Sequence, residues 1–422
     1  MLNYLKKSWK KIGPGFITGA ADDDPSGVAT YSQTGSIFGY SQLWIALFSF
    51  PFMIVIQQMC GRIGMVTGKG LAGVIHAHYS KPVLYFAVSL LVIANTINIG
   101  ADLGAMAASA QMLLGLPFFF WLCIMTGFII LLEFFVTYKT YSKILKYLAL
   151  TLFAYVFTAF IVKLDWGIIV KNTVIPQIKF SKDYLLNIVA ILGTTISPYL
   201  FFWQASQEVE EAIADDKIQD IGVGTPAASR ENVADMNWDT IIGMFFSQAI
   251  MFFIIITTAA TLHAKGITNI ETASQAAEAL RPVAGNLAYL LFAAGIIGTG
   301  LLAVPILAGS SAYAVAETTG LKAGLSKKPG RAPGFYGVIA ASTLIGMSIN
   351  LLGINPIKAL YYAAALNGLA APPLMALIIL IANNKNIMGK FVNKRISNVV
   401  GWMIVLVMAI AGILLIIDSL KG

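Results

Sequence analysis

The chain has 422 residues, of which 58% are apolar types and only 11% are charged. A soluble domain is about a quarter charged, so this composition excludes a soluble globular protein and indicates that lipid surrounds much of the chain. The net charge is +8, but the basic residues fall in short clusters between apolar runs, which favours a membrane protein over a nucleic-acid-binding one. Cys60 and Cys123 lie in separate apolar segments, so we expect neither a disulfide framework nor a cysteine metal site.

Apolar runs long enough to cross a bilayer as helices follow one another along the whole chain. They predict an all-α polytopic membrane protein with about eleven spans, a helix of about 20 apolar residues being enough for each. The predicted spans are 13–38, 42–66, 83–112, 117–137, 144–163, 184–207, 238–263, 284–316, 334–352, 356–381 and 397–418. Most lysines and arginines fall in segments that share a side with the N-terminus, which predicts a cell-membrane protein with a cytoplasmic N-terminus and an external C-terminus.

The first span carries the sequence Asp22-Asp23-Asp24-Pro25-Ser26-Gly27 at mid-membrane depth. A carboxylate there costs about 2.5–3.5 kcal/mol on the insertion scale, so these residues must face a cavity or a partner. Proline removes a backbone donor and clashes with the preceding turn, and glycine relaxes the chain further. We therefore expect a helix that unwinds beside Asp24 and leaves carbonyl oxygens free.

The sixth span has a matching interruption, with Gly193, two threonines, Ser197 and Pro198 near its middle. Spans one to five and six to ten can then be two repeats, the second inverted because five is odd. Matched broken helices in inverted repeats are the best sequence pointer to the central site of a transporter. The predicted units are a first repeat at 1–163, an external loop at 164–183, a second repeat at 184–382, and an inner loop with an extra span at 383–422.

On these motifs the sequence resembles the NRAMP family of divalent-metal transporters. Gly13-Pro14-Gly15-Phe16 followed by Asp24-Pro25-Ser26-Gly27 is similar to its first-span motif Asp-Pro-Gly-Asn, and residues 61–72 resemble its connection between the second and third spans. The resemblance covers spans one to ten. It implies a LeuT-type fold, alternating access, and a divalent cation bound between the two broken helices.

Several positions depart from the family pattern. Gly27 stands in place of the motif asparagine, Ser197 in place of a methionine, and Tyr199 and Gln204 in place of histidines. The position at which the family carries an acidic residue in the third span is occupied by Ala101, with Asp102 beside it. Loss of a thioether removes the selection for soft metals, and Mg²⁺ prefers oxygen ligands while keeping several waters. We therefore expect a widened site for partly hydrated Mg²⁺, with Mn²⁺ also accepted, as in the NRAMP-related magnesium transporters that the pattern resembles.

The candidate site follows from the resemblance and from the two breaks. The positions expected around the metal ion are Asp24, Ser197, Thr194, Gly27 and Ala21. The positions expected to line the surrounding cavity are Asp22, Asp23, Thr195, Tyr199, Gln204 and Asn367. Asp22 and Asp23 can equally cap a half-helix or pair with a lysine, and the Thr195 hydroxyl can bond back to its own helix.

The predicted activity is import of Mg²⁺, and also of Mn²⁺, as substrate by a protein without a resident cofactor. Because histidines are missing at two positions near the site, transport without protons is expected, driven by the roughly 4.6 kcal/mol that a divalent ion gains from a 100 mV potential. The expected partners are the metal ion and the lipid bilayer, with no nucleic acid, and the expected functional unit is a monomer.

Other functions stay open at this point. A proton-coupled Mn²⁺/Fe²⁺ transporter is the nearest, and the missing methionine and histidines argue against it. A sodium-coupled amino-acid transporter shares the fold, but such a site avoids a carboxylate cluster. An intramembrane enzyme or a channel-like receptor could use the paired acids to hold a metal, but no second histidine or glutamate set accompanies them. No nucleotide-binding or hydrolase motif is present, so we expect no enzyme.

Overall fold

The computed structural model describes residues 13–136, 152–224, 226 and 228–421, with side chains described as far as residue 417. Within these ranges the chain is helical and forms no β-strand; its only bridge pairs Asp220 with Val223. The helices, numbered in chain order, are α1 (Pro14–Asp22), α2 (Pro25–Phe38), α3 (Trp44–Thr67), α4 (Leu71–His78), α5 (Lys81–Leu114), α6 (Phe118–Phe135), α7 (Phe153–Ile161), α8 (Trp166–Val174), α9 (Lys182–Thr195), α10 (Pro198–Ala214), α11 (Arg230–Thr261), α12 (Ala273–Ala277), α13 (Arg281–Ala284), α14 (Ala288–Thr319), α15 (Pro333–Ile349), α16 (Pro356–Asn383), α17 (Lys385–Met388) and α18 (Arg395–Lys421).

The predicted spans reappear in the predicted order. Nine helical segments of the described residues are long and apolar enough to cross a membrane. The first predicted span is not among them; it is split into α1 and α2, of 9 and 14 residues, and carries three aspartates at the break. Residues 144–151 of the fifth predicted span lie outside the described residues, and α7 is its described end.

One helix begins well before its predicted boundary. The seventh span is expected from residue 238, whereas α11 starts at Arg230. The Ser229 hydroxyl accepts a hydrogen bond from the Asn232 amide at 3.0 Å and caps this early start. Apolar periodicity alone misses such a polar first turn, because a capped helix can extend beyond the hydrocarbon region.

Small residues let the helices around the two breaks approach very closely. A Cβ on Gly19 of α1 would lie 2.2 Å from the Gly243 carbonyl of α11, and one on Gly193 of α9 would lie 2.1 Å from the Ala364 carbonyl of α16. Membrane helices associate through packing of this kind because lipid gives no hydrophobic drive between them. The broken helices are therefore clamped at the centre, α1 against α11 and α9 against α16.

Candidate metal centre

The first break is explained by local capping. Asp24 has an extended backbone and is the N-cap of α2, and its Oδ1 accepts hydrogen bonds from the Gly27 amide at 2.7 Å and the Ser26 hydroxyl at 2.6 Å. Pro25 occupies the first helical position, where the missing N–H costs nothing. Asp24 thus ends one half-helix and begins the next, and its carboxylate is only 1% exposed.

The second break has the same backbone form with a different side-chain role. Ser197 is the extended N-cap residue before Pro198, but its hydroxyl makes no cap bond. It donates to the Gly193 and Thr194 carbonyls, each at 2.7 Å. The serine therefore covers the carbonyl groups that the end of α9 would otherwise leave free.

The two breaks face each other across a short distance. The Tyr199 hydroxyl donates to the Ala21 carbonyl at 2.9 Å, and the Ser26 and Thr194 hydroxyl oxygens are 3.4 Å apart. The predicted ion-binding positions on α1, α2 and α9 are thereby brought together. Their oxygen atoms are bonded to other groups of the protein in this closed arrangement.

The surroundings of Gly27 are more crowded than the widened site that was expected there. A Cβ there would lie 3.2 Å from the Asp22 carbonyl oxygen and from the Thr194 hydroxyl, and 3.3 Å from the Tyr31 ring. The volume that the absent side chain could have opened is filled by these neighbours. Gly27 therefore contributes close packing and an amide donor to Asp24, and no additional room.

A polar group on the third span completes the surroundings of Asp24. The Asn98 side-chain amide donates to Asp24 Oδ2 at 2.9 Å and lies 3.5 Å from Asp102 Oδ2. Asn367 lies on its other side, with its amide nitrogen 3.5 Å from Asn98 Oδ1. Sequence reasoning did not single out Asn98, although two polar residues four apart in an apolar helix are a usable signal. On this span it is Asp102, fully buried, that lies beside the centre.

Asp22 and Asp23 form none of the lysine pairs that were one of their open roles, and Asp23 is the C-cap residue of α1. Both are buried, at 0% and 1% exposure, and neither forms an ion pair with a described residue. Ser247 of α11 donates to Asp22 Oδ2 at 2.5 Å and lies 3.5 Å from Asp23 Oδ1. Asp22 Oδ1 and Asp23 Oδ2 have no donor among the described residues. Both side chains are thus buried against α11 and contact its Ser247.

Two of the predicted cavity residues point elsewhere. The Thr195 hydroxyl bonds back to the Ile191 carbonyl at 2.8 Å. Gln204 donates to Glu208 at 2.8 Å, one turn further along α10. Among the residues that the structure describes, no three histidine, cysteine or acidic side chains are grouped so as to hold a metal ion. The centre therefore offers one well-placed carboxylate with hydroxyl, amide and carbonyl oxygens, a donor set for hard cations.

The N-terminal end of the first half-helix, α1, is tied to α11 by the carboxylate of Asp239. Asp239 accepts hydrogen bonds from the amides of Gly13 at 3.0 Å, Gly15 at 2.7 Å and Phe16 at 3.2 Å. These amides have no partner within the helix, and the positive end of the helix dipole favours an anion there. The contact holds the N-terminal end of α1 against α11.

This arrangement, two broken helices around a buried polar centre, is that of a membrane transporter. Residues 15–418 match the family described as natural resistance-associated macrophage protein-like. The chain therefore belongs to the Nramp family, as its motifs predicted.

Curated relatives and solved structures agree with this assignment. The chain is 26% identical over 420 residues to the divalent metal cation transporter MntH of Klebsiella pneumoniae (strain 342), covering 97% of this chain and 94% of that one. It is 27% identical over 433 residues to MntH of Caldanaerobacter subterraneus subsp. tengcongensis, covering 99% and 95%. The manganese transporter of Eremococcus coleocola superimposes with a TM-score of 0.76 at 18% identity, covering 96% and 86%.

A more distant structure defines the fold class. Mhp1, a nucleobase-cation-symport-1 family transporter in a closed conformation, superimposes with a TM-score of 0.57 at 14% identity, covering 96% of this chain and 92% of that one. At such identity the likeness concerns the fold alone. The predicted LeuT-type fold with broken first and sixth spans is confirmed.

Proposed function

We propose that this chain carries divalent metal ions across the cell membrane by alternating access. The observation that carries the proposal is Asp24, a buried carboxylate at the junction of two half-helices, beside the Ala21 carbonyl and the hydroxyls of Thr194 and Tyr199 on a second broken helix. The names of the MntH relatives support the same substrate class. Movement of the half-helices would expose Asp24 to one side and then to the other.

The preferred ion is the first point that the substrate class leaves open. The described hydrogen-bond partners of Asp24 are hydroxyl and amide groups, which supports acceptance of Mg²⁺. The MntH relatives are named divalent metal cation transporters and the Eremococcus coleocola structure is that of a manganese transporter, which favours Mn²⁺. We propose a site that binds Mn²⁺ and does not discriminate strongly against Mg²⁺.

Proton movement is the second open point. Transport without protons is expected only if no titratable group lies near the ion. Asp102 lies near it, because the Asn98 amide contacts both Asp24 and Asp102, so the argument for uncoupled transport no longer holds. Asp22 and Asp23 are also buried without a basic partner among the described residues. Proton-coupled Mn²⁺ transport is therefore the second candidate, and these carboxylates support it.

Proteoliposomes test these proposals together. The protein is reconstituted with an internal Mn²⁺- or Mg²⁺-sensitive dye, and in parallel with a pH dye. Asp24→Ala should abolish uptake of both ions, whereas Asp183→Ala, at an exposed acid in the first turn of α9, should leave it intact. Normal uptake by a folded Asp24→Ala protein would remove the proposed site. Internal acidification that scales with Mn²⁺ influx would establish coupling, and its absence would leave uncoupled transport.

The remaining sequence-based proposals concern placement and assembly. We retain a cytoplasmic N-terminus, an external C-terminus, a monomeric unit, and repeats at 1–163 and 184–382. Lysine and arginine placement supports the orientation. Labelling of single cysteines placed in 164–183 and in 317–333 from outside intact cells tests it: only the first should react.

A further inference from the structure

A cavity of about 590 Å³ lies away from the ion site, between the end of α6, the middle of α14 and the segment that follows α14. Its lining is mainly apolar: Leu132, Phe134, Phe135, Val136, Trp203 and Pro305. Tyr336 forms part of the wall, with its ring packed on Phe134 at a centroid distance of 5.3 Å. Size and lining are those of a pocket for a small amphipathic molecule.

Glu133 places an unpaired carboxyl group in this cavity. Its Oε2 is buried and receives no hydrogen bond from any described residue, and it forms no ion pair within the described part of the chain. It stands near the end of a membrane-length helix whose neighbours are leucine and phenylalanine. Burial of a carboxylate in such surroundings costs free energy unless a cationic group pairs with it. We therefore expect Glu133 to have a functional partner.

The rim of the same cavity carries a free positive charge. Of its two lysines, Lys327 is already engaged, because its Nζ bonds both Asp220 oxygens, at 2.6 and 2.8 Å, and the Ala323 carbonyl. Lys328 is exposed and forms no ion pair with a described residue. Glu133 and Lys328 thus line one cavity without contacting each other.

We propose that this cavity, the Glu133 cavity, binds an aminophospholipid with a phosphoethanolamine headgroup. The primary ammonium donates to Glu133, the phosphate lies against Lys328, and an acyl chain covers the apolar wall formed by Phe134 and Phe135. A choline headgroup carries no N–H to donate, and an anionic glycerol headgroup brings no cation to the carboxylate. In the orientation proposed above, the site opens to the inner leaflet, where basic pockets between spans hold lipid headgroups.

Lipid retention by the purified full-length protein tests this assignment. The protein is exchanged into nanodiscs containing equal amounts of phosphatidylethanolamine, phosphatidylcholine and phosphatidylglycerol with matched chains. After re-extraction and extensive washing, the lipid that remains bound is quantified by mass spectrometry. Wild type should retain phosphatidylethanolamine over phosphatidylcholine by about tenfold, the worth of one good contact.

Two variants with matched controls separate the headgroup contacts. Glu133→Gln, nearly the same shape, should lose the ethanolamine-over-choline preference, while Glu231→Gln at an exposed position should keep it. Lys328→Gln should lower retention of both zwitterionic lipids, and Lys322→Gln in the same connection should not. Equal retention of ethanolamine and choline lipids by wild type overturns the proposal, as does an unchanged preference in Glu133→Gln. Selective retention of phosphatidylglycerol would show an anionic lipid site and would also overturn it.

Discussion

The first half-helix, α1, should be released by loss of the Asp239 carboxylate. Three backbone amides, of Gly13, Gly15 and Phe16, donate to that one side chain over 2.7–3.2 Å. In Asp239→Asn a neutral acceptor replaces a charged one, so the hydrogen bonds weaken by about half and the interaction with the helix dipole is lost. Together these changes amount to about 1–3 kcal/mol, or roughly 5- to 150-fold in the equilibrium between open and closed α1.

The close approach of the two helices provides a second, independent perturbation. A Cβ on Gly19 would lie 2.2 Å from backbone atoms of Gly243, and no side chain at that place can move aside. Gly19→Ala must therefore push α1 away from α11. The same movement of α1 away from α11 is expected here from a steric cause, while the Asp239 side chain is unchanged.

A cysteine reporter on α1 measures the opening. Ala20 is 3% exposed in the closed state, so Ala20→Cys, in a background with Cys60 and Cys123 replaced, reacts with a water-soluble thiol reagent only when α1 moves. In inside-out vesicles, Asp239→Asn should speed the reaction at least fivefold and Glu231→Gln should not. An unchanged or slower rate in a folded Asp239→Asn protein would refute the role of Asp239 in holding α1 closed.

Three further substitutions test the centre itself. Asn98→Leu removes the donor to Asp24 Oδ2 and should weaken Mn²⁺ binding about tenfold, measured by calorimetry, because the carboxylate loses its orientation; unchanged affinity would dismiss Asn98 as a positioning residue. Gly27→Asn should lower stability by about 1–3 kcal/mol from overpacking, seen as a lower melting temperature; an unaffected melting temperature would show that the space is not closed. Tyr199→Phe removes the hydroxyl that donates to the Ala21 carbonyl. An unpaired buried carbonyl costs about 1–3 kcal/mol in the empty state, and a bound ion would relieve that cost, so ion affinity should rise by about fivefold or more. Weaker binding would contradict this account.

Local chemistry explains which features could be predicted from the sequence. The breaks at Asp24-Pro25 and Ser197-Pro198 follow from proline and capping rules that act within a few residues, and the structure has both. The number and order of spans follow from apolar length. By contrast, Asn98 meets Asp24 across 74 residues of chain, and Asp239 meets Gly15 across 224. Such contacts depend on how helices pack, and periodicity within one helix carries no information about its neighbour.

The crowding at Gly27 is a second feature that the sequence alone does not predict, because it also depends on how helices pack. Loss of a side chain suggests free volume, but Thr194 of α9 and Tyr31, one turn further along α2, occupy it. Protein interiors are close-packed, so a smaller residue is usually accompanied by compensating neighbours. An absent ligand in a motif therefore indicates which chemistry is missing and leaves the size of the site undetermined.

The charge of the closed centre restricts which states of the transporter can close. Asp22, Asp23, Asp24 and Asp102 are all buried, and no basic side chain pairs with any of them in the described part of the chain. Four ionised carboxylates without cations would cost several kcal/mol each. One divalent ion offsets two of these charges, so the others require protons or further hydrogen bonds before the half-helices can seal. Closure of an empty, fully ionised site is therefore unfavourable. A transporter that closes only after its carboxylates are neutralised does not change its access while the site is empty.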